Sequence, residues 1–373
     1  MLLRTKMALH TKYRPKTLDK LIGQTTAVTR LKGIINSGKV PSAMLFTGPT
    51  SVGKTTLARA FACDLSGKGE VFLNSPDYKE INFSDTRGID DIRELIRITR
   101  FKPQMGKYRV IVGDECQGLL STPAASNALL KALEESENTV WILCSMNPEK
   151  FQTTTIGKAI ANRCVQFNLE SPSNGELLKQ AKRICKGEHM DYMLDEESKL
   201  LKTIVKNSNY EMRTLAQLIE ACQQYYEGLA EKPQQLSLKD ISSVLSSVES
   251  SEDQLAQKFI TGLYALQFSV CQRCILDSND HIGLLNKLSF INSYLVNSTI
   301  LGSEKHRKVW NTSANVAVKK QVQKLNITLG QLAEVNTRLV ETKSKAMQFG
   351  IGADALLSAF AYSTIRKLQD MKK

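Results

Sequence analysis

Residues Gly48 to Thr55 read GPTSVGKT, and this stretch decides the fold. It fits the pattern G-x-x-x-x-G-K-[ST] of a phosphate-binding loop. A short apolar run of buried-strand type, Ala43 to Phe46, precedes it, and good helix formers follow from Thr56 to Ala62. A strand, a glycine loop and a helix in this order let backbone N–H groups surround a phosphate at a helix N-terminus. The stretch therefore predicts a nucleotide site, and the correct flanks argue against a chance glycine-rich turn.

Each part of this loop has a predicted role. Gly48 and Gly53 allow backbone angles and a close approach that a Cβ would block. Lys54 is expected to reach the β- and γ-phosphates, and the Thr55 hydroxyl to take one Mg²⁺ position. The residues of this stretch predicted to bind the nucleotide are Gly48, Pro49, Thr50, Ser51, Val52, Gly53, Lys54, Thr55 and Thr56.

Two acidic residues end a later apolar strand, Tyr108 to Gly113. Parallel α/β sheets bind their ligands at the carboxyl ends of the strands. Asp114 is therefore predicted to hold Mg²⁺, directly or through water, and Glu115 to polarise the attacking water for hydrolysis. The alternative is an acidic strand end with no ligand. Gly113 stands where a bulkier apolar residue is expected.

The first part of the chain alternates strands with helices, which predicts a doubly wound parallel sheet of five strands. The predicted strands are 43–46, 80–83, 108–113, 139–144 and 160–167, and the main helices are 25–37, 56–62, 88–100 and 124–135. After Glu170 the pattern is helical throughout, at 173–187, 195–207, 211–229, 238–248, 253–277, 280–300, 312–343 and 352–371. A serine-rich break at 242–251 divides these helices into two groups. The predicted domains are an α/β nucleotide-binding domain (1–170), a helical lid (171–248) and a helical oligomerisation domain (249–373).

The composition indicates which kinds of partner and which cellular compartment to expect. The 373 residues predict two or three domains, and the net charge is +13. Residues 1–40 hold nine Lys or Arg against Asp19 alone. This excess favours a polyanionic partner, although from charge alone a soluble basic surface is an equal alternative. The sequence contains no uninterrupted run of about 18 apolar residues, so no membrane span is predicted. The N-terminus lacks a secretory pattern, and the scattered cysteines indicate reduced thiols in the cytoplasm rather than disulfides or zinc.

Seven segments together resemble the ATPase subunits of sliding-clamp loaders. They are KYRPKTLDKLIGQ, GPTSVGKTTLARAFA, DTRGIDDIRELI, VGDECQGLL, SNALLKALEE, NRCVQF and NYEMRTLAQLIE. This AAA+ family includes the bacterial DNA polymerase III gamma/tau subunit, the small subunits of replication factor C and their phage counterparts. The resemblance covers residues 8–230 in motif order and spacing. The last 120 or so residues are similar only in being helical and of suitable length, in keeping with a collar domain.

The resemblance implies further site residues. Arg163 would be an arginine finger that reaches the γ-phosphate of a neighbouring subunit, although Asn162 replaces the family's usual serine. Arg213 would be the second sensor, on the lid. Met146 aligns with the first sensor, where Thr or Asn is usual. Ser145 and Asn147 lie alongside it, and Asn147 is chosen for that role. The family's adenine-proximal leader matches Tyr13, Arg14, Ile22 and Gly23, and its DNA-contacting element matches Arg87, with Arg93 following on the same helix.

The resemblance also implies partners. An ATP- and Mg²⁺-dependent ATPase, stimulated by DNA and clamp, would act with other loader subunits in a pentameric ring or spiral. It would open a sliding clamp and load it on primer–template DNA, in the cytoplasm, or in the host cytoplasm for a phage protein. Bacterial gamma/tau subunits carry a four-cysteine zinc module, of which only Cys63 is present here, so no zinc is expected. The alternatives are another AAA+ DNA-remodelling ATPase, for branch migration or recombination, a nucleotide-binding subunit without turnover, and a metabolite kinase.

Overall fold

The computed structural model describes residues 7–83, 89–135, 137–248, 251–300, 313–348 and 353–371. The chain divides into two compact units. The first comprises the residues up to Glu188 together with Glu211–Gln217, and the second comprises His189–Tyr210 and the residues from Leu218 onward. The predicted boundaries after residues 170 and 248 each lie inside one of these units, so they stay predictions.

The first unit is built on a five-stranded sheet with the order β2-β3-β4-β1-β5, in which every pairing is parallel. The strands are β1 (Ala43–Thr47), β2 (Tyr78–Asn82), β3 (Arg109–Asp114), β4 (Thr139–Ser145) and β5 (Val165–Asn168). Every residue of β1 and β4 is buried, which explains why both read as continuous apolar runs. The predicted parallel sheet is confirmed. Because β4 lies between β1 and β3, its end lies between the ends of the strands that lead into the phosphate loop and the acidic pair.

Helices cover both faces of this sheet. Met44 and Phe46 contribute to one core, and Leu45 contributes to the other, because alternate residues of a strand point to opposite faces. The helices of this unit are α1 (Leu9–Lys12), α2 (Thr25–Ser37), α3 (Lys54–Ser66), α4 (Ile89–Thr99), α5 (Pro123–Glu135), α6 (Lys150–Thr153), α7 (Thr155–Arg163) and α8 (Asn174–Gly187). Short 3-10 helices occupy Leu18–Lys20, Gly69–Asn74 and Cys116–Ser121.

The second unit is helical. Its helices are α9 (Lys199–Asn207), α10 (Met212–Gly228, whose first residues belong to the first unit), α11 (Leu238–Val248), α12 (Ser251–Tyr264), α13 (Phe268–Leu276), α14 (His281–Ile300), α15 (Ser313–Gln323), α16 (Leu329–Gln348) and α17 (Ala353–Asp370). A 3-10 turn occupies Asp191–Met193. The helices from α12 onward share one apolar core that includes Phe259, Leu288 and Leu339. Among the described helices, none has the length and apolarity needed to span a membrane.

The predicted strand 160–167 is wrong in its first half. Residues up to Arg163 belong to α7, which begins where the Thr154 side chain accepts a hydrogen bond from the Gly157 N–H (3.1 Å). Ile160 and Ala161 are buried in one of the two sheet cores, so their apolar run reflects a helix face. A short apolar run does not distinguish a buried strand from a buried helix segment. Arg163 is therefore the last residue of a helix.

Two long predicted helices are also wrong, because each is interrupted. The segment predicted as 253–277 breaks between α12 and α13, where Leu266 adopts a left-handed φ of 61° and the Gln267 N–H donates to the Gly262 carbonyl (2.8 Å). The segment predicted as 312–343 breaks between α15 and α16, where Asn326 has a left-handed φ of 51°. Asparagine tolerates this conformation, but leucine does so only when tertiary packing holds it.

Gly113 is required by the packing of β3 against Phe83. A Cβ at position 113 would lie 2.0 Å from Cε2 of the Phe83 ring, which is 2% exposed. We expect Gly113→Ala to lower the free energy of unfolding by about 2 kcal/mol, because the ring has no space into which to move. Thermal unfolding followed by circular dichroism measures the loss.

The matched control is Gly33→Ala in α2, where a Cβ meets no atom within 4 Å. There the substitution should leave stability unchanged or raise it by about 0.5–1 kcal/mol, because alanine favours the helix. Adding Phe83→Leu to Gly113→Ala should recover part of the loss. Equal melting temperatures for Gly113→Ala and Gly33→Ala would contradict the packing explanation.

Candidate nucleotide-binding and catalytic site

A cavity of about 210 Å³ lies in the first unit, at the carboxyl ends of β1 and β3. Most of the residues predicted from the sequence line it: Tyr13, Arg14, Ile22, Thr50, Ser51, Val52, Gly53, Lys54, Thr55, Thr56, Asp114, Glu115 and Arg213. Its walls also include residues that were not predicted: His10, Pro15, Leu21, Gln24, Gln180, Met212 and Ala216. Segments far apart in the chain therefore meet around one space.

The glycine loop is shaped by close backbone approach. Gly48 has a φ of 151°, and a Cβ there would lie 2.4 Å from the Leu169 carbonyl oxygen. The Gly48 N–H donates to the Ser145 carbonyl (3.2 Å), which joins the loop to the end of β4. Gly53 has a φ of 100° and immediately precedes α3. Both predicted glycine roles have a geometric basis, although Gly48 and Pro49 support the cavity rather than line it.

Lys54 lies inside the loop. Its Nζ donates to the carbonyls of Gly48 (2.9 Å) and Pro49 (2.7 Å), and only 7% of the residue is exposed. Burial lowers the pKa of Lys54, whereas the nearby carboxylates of Asp114 and Glu115 act in the opposite direction. An ammonium group held in this way is placed for anionic phosphate oxygens within the cavity.

Thr55 and Asp114 provide hard oxygen donors that fit Mg²⁺. The Thr55 hydroxyl donates to Asp114 Oδ2 (2.6 Å), so the two side chains from α3 and β3 are in contact. Mg²⁺ in nucleotide sites is bound by one or two such groups together with substrate phosphates and water. Within the described ranges, no cluster of three or more His, Cys, Asp or Glu is placed to hold a metal by itself.

Glu115 follows Asp114 in a left-handed conformation with a φ of 51°, at the start of the 3-10 helix Cys116–Ser121. Non-glycine residues in this region are uncommon and concentrate at functional sites. Its N–H donates to Asp114 Oδ1 (3.0 Å), and its carboxylate accepts a hydrogen bond from the Gln117 side-chain amide. The two carboxylates therefore have different side-chain partners: Asp114 accepts from Thr55, and Glu115 accepts from Gln117.

The other end of the cavity is cationic. Burial lowers the pKa of Arg14, and the neighbouring Arg59 and Arg213 guanidiniums contribute, while Glu80 opposes them. Arg59 is already neutralised by Glu80 through two hydrogen bonds of 2.6 Å. The two arginines that line the cavity here, Arg14 and Arg213, favour an anionic ligand.

The predicted leader residues join the cavity to α8. The Tyr13 hydroxyl donates to Glu188 (2.7 Å), and burial is the main reason that the pKa of Tyr13 is raised. Gly23 adopts a φ of 81° beside the carboxylate of Glu176, and a Cβ there would lie 3.0 Å from it. The buried Nδ1 of His10 has no hydrogen-bond partner among the described residues. Only the structure brings His10 to the cavity, because a lone histidine carries no sequence signal.

Arg163 and Asn147 do not line the cavity. The Arg163 guanidinium pairs with Glu134 on α5 (2.6 Å) and donates to the Ala159 carbonyl (3.0 Å). The Asn147 N–H donates to the Ser145 hydroxyl (3.1 Å), which in turn donates to Gln117 Oε1 (2.8 Å). Arg93 lies on the exposed face of α4, and Arg87 lies outside the described residues.

Comparisons with known proteins identify the family to which the chain belongs. The family model described as "DNA polymerase III, delta subunit" matches residues 23–173. The replication factor C small subunit of Methanothermobacter thermautotrophicus is 31% identical over 62% of this chain and 67% of its own length. The chain belongs to the clamp-loader family of AAA+ ATPase subunits.

One further relative agrees with this assignment, and one solved structure agrees with the fold. The DNA polymerase III subunit gamma of Buchnera aphidicola subsp. Schizaphis graminum is 28% identical to this clamp-loader subunit over 80% of the chain and 81% of the relative. The solved structure of Thermotoga maritima RuvB, a Holliday junction branch migration motor, superposes with a TM-score of 0.51 over 66% of this chain and 79% of that chain. At 18% identity, this last similarity shows the AAA+ fold alone. ATP binding and a role in DNA replication follow from the family.

A second prediction concerns the affinity for ATP. Lys54→Ala should weaken ATP binding by about 2 kcal/mol or more, roughly 30-fold in Kd, because the cavity loses its buried ammonium group. Binding of a fluorescent ATP analogue with Mg²⁺ measures the change. Lys39→Ala is the control, since it removes an equal charge from an exposed position outside the cavity. Indistinguishable Kd values for the two variants would exclude Lys54 from the phosphate site.

Proposed function

We propose that this clamp-loader subunit hydrolyses ATP at the interface with a neighbouring subunit, and uses ATP to open a sliding clamp and place it on primer–template DNA. The observation that carries the proposal is the separation of two groups. Lys54, Thr55, Asp114 and Glu115 surround one cavity, whereas Arg163 lies outside it at the end of α7. Because Arg163 does not reach the cavity of its own chain, an arginine finger supplied by a neighbouring subunit is compatible with this arrangement.

Each group has a chemical task in this proposal. The amides of the glycine loop and Lys54 bind the phosphates. Thr55 and Asp114 hold Mg²⁺, which when bound neutralises charge on the phosphate oxygens. Glu115 accepts a proton from the attacking water. Arg163 of a neighbouring subunit neutralises the charge that develops in the transition state, and Arg213 contacts the γ-phosphate within its own subunit.

Clamp opening follows from linkage between the ligands. If ATP, clamp and DNA all favour the same arrangement of subunits, each raises the affinity for the other two. The net charge of +13 supports an approach to DNA, and we assign Arg87 and Arg93 to its phosphate backbone. DNA binding should then weaken steeply as the salt concentration rises, because the protein releases bound cations from the DNA when it binds.

The experiment compares ATP hydrolysis by the reconstituted complex with three additions: cognate clamp with primed DNA, primed DNA alone, and branched DNA alone. Clamp with primed DNA should give the highest rate. A rate that rises with branched DNA and ignores the clamp would favour an ATPase of the branch-migration type. Tight ATP binding without turnover under every condition would favour a nucleotide-binding subunit that does not hydrolyse.

Assembly is tested separately. Purification together with the neighbouring replication gene products, followed by native mass measurement, should give a complex of several subunits, with a pentamer expected. A lone protomer that hydrolyses ATP at full rate would contradict a site shared between subunits.

A further inference from the structure

A chain of side-chain hydrogen bonds joins Glu115 to the end of β4. The Gln117 Nε2 donates to Glu115 Oε2. The Ser145 hydroxyl donates to Gln117 Oε1 (2.8 Å) and accepts from the Asn147 N–H (3.1 Å). Gln117 is half-buried and does not line the cavity, whereas Ser145 is fully buried. Gln117 therefore lies between the proposed catalytic carboxylate and the strand beside it.

The donor and acceptor groups fix the direction of every hydrogen bond in this series. An ionised carboxylate only accepts, so the NH₂ end of the Gln117 amide must face Glu115. The amide oxygen then faces Ser145, and the Ser145 hydroxyl must donate its single proton to it. The remaining lone pairs of that hydroxyl accept the Asn147 N–H. No reversed arrangement satisfies all three partners, so the side chain of Gln117 is held in one orientation.

The same strand end contacts the phosphate loop. The Ser145 carbonyl accepts the Gly48 N–H (3.2 Å), and Ser145 pairs with Thr47 in the register of β1 and β4. Gln117 itself lies in the first turn of the 3-10 helix that follows Glu115. The segments that follow β1, β3 and β4 therefore meet at Ser145 and Gln117. A shift of the segment after β4, for example when a nucleotide occupies the loop, would move the amide that holds Glu115.

We propose that Gln117 is a positioning residue for Glu115, which sets the direction of its carboxylate according to the position of the Ser145–Asn147 segment. This inference rests on the proposed role of Glu115 in hydrolysis. Gln117 contributes to the rate of the chemical step and not to the affinity for ATP. Glu115 directly follows β3 in a left-handed conformation, which a residue other than glycine keeps only where the surrounding structure holds it.

Two isosteric variants separate hydrogen bonding from packing. Gln117→Glu keeps the size but replaces the donor with an acceptor facing Glu115, and Gln117→Met keeps the length but removes both polar ends. We expect both to lower kcat for stimulated ATP hydrolysis by about 10- to 100-fold, because a misplaced reacting group loses rate on this scale. The Kd for an ATP analogue should change less than about threefold, since Gln117 makes no contact with the cavity. Gln224→Ala, on the exposed side of α10, is the control.

A double-mutant cycle tests the path through Ser145. Ser145→Ala should lower kcat by roughly threefold to tenfold. Combined with Gln117→Met, it should add little to the loss that Gln117→Met already causes, because the two residues act in series. Thermal unfolding of each variant shows whether the fold is kept.

The outcomes are distinct. A loss of kcat with Kd and melting temperature retained, together with a non-additive cycle, supports the inference. Variants that hydrolyse at the wild-type rate overturn it and leave the proposed function intact. A rate loss that parallels weaker ATP binding or a lower melting temperature also overturns the inference, because it indicates a structural role. A double-mutant cycle in which the two losses of kcat multiply fully overturns it as well. A wild-type complex that never hydrolyses ATP overturns both the proposed function and the inference.

Discussion

Glu115→Gln should lower kcat for ATP hydrolysis by about 10²- to 10⁴-fold, the usual contribution of a positioned general base. The variant should still bind ATP, because Lys54, Thr55 and Asp114 keep their places around the cavity. The carboxamide has nearly the same shape but cannot accept the proton of the attacking water. Binding without turnover should leave the complex in its ATP state, holding clamp and DNA together.

Single-turnover hydrolysis in the presence of clamp and primed DNA measures this loss. Retention of the clamp on DNA, followed by fluorescence, should increase in parallel. Glu149→Gln provides a control that removes an equal charge from an exposed position outside the cavity. If Glu115→Gln turns over ATP at the rate of this control, Glu115 is not the base.

Arg163→Ala should also lower kcat strongly, by about 10³- to 10⁵-fold, the range measured for arginine fingers. The ATP affinity of the same protomer should be kept, because Arg163 lies outside its own cavity. Its present partner is Glu134, which is about half exposed, so this ion pair can be exchanged for a phosphate at modest cost. Arg366→Ala, on the exposed face of α17, is the matched control.

Mixing two inactive variants tests whether Arg163 acts across an interface. Lys54→Ala protomers keep an intact Arg163, and Arg163→Ala protomers keep an intact cavity. In a mixed assembly, some cavities with Lys54 adjoin a neighbour with Arg163, and activity should return to a fraction set by the mixing ratio. Recovery that is absent at every ratio, although native mass measurement shows mixed complexes, would place the action of Arg163 within its own subunit.

Local sequence patterns were sufficient to predict a candidate nucleotide site. The loop from Gly48 to Thr55 and the Asp114–Glu115 pair were found because phosphate and Mg²⁺ chemistry require those residue types next to a buried strand. The parallel sheet also followed from the alternation of strands and helices. The first half of the fifth predicted strand was wrong, since the apolar run at Ile160 and Ala161 fits either a strand or a helix face.

Residues whose roles depend on distant partners were not found in this way. Gly113 looked like a weak point of β3 until the structure placed the Phe83 ring against it. Alignment placed Met146 at the first sensor, the adjacent Asn147 was chosen instead, and that role stays a prediction. Ser145 and Gln117 gained their connection to Glu115 only through the placement of β4 beside β3.

The sequence by itself determined that this protein has a phosphate loop, an acidic strand end and a helical second part, because each is specified by contiguous residues with a fixed local geometry. Tertiary structure alone decided which side chains face the cavity, which glycine has no room for a Cβ, and what holds Glu115. The physical reason is that hydrogen bonds and packing join atoms close in space, and the order of strands in the sheet, β2-β3-β4-β1-β5, is not written in any single stretch of the chain.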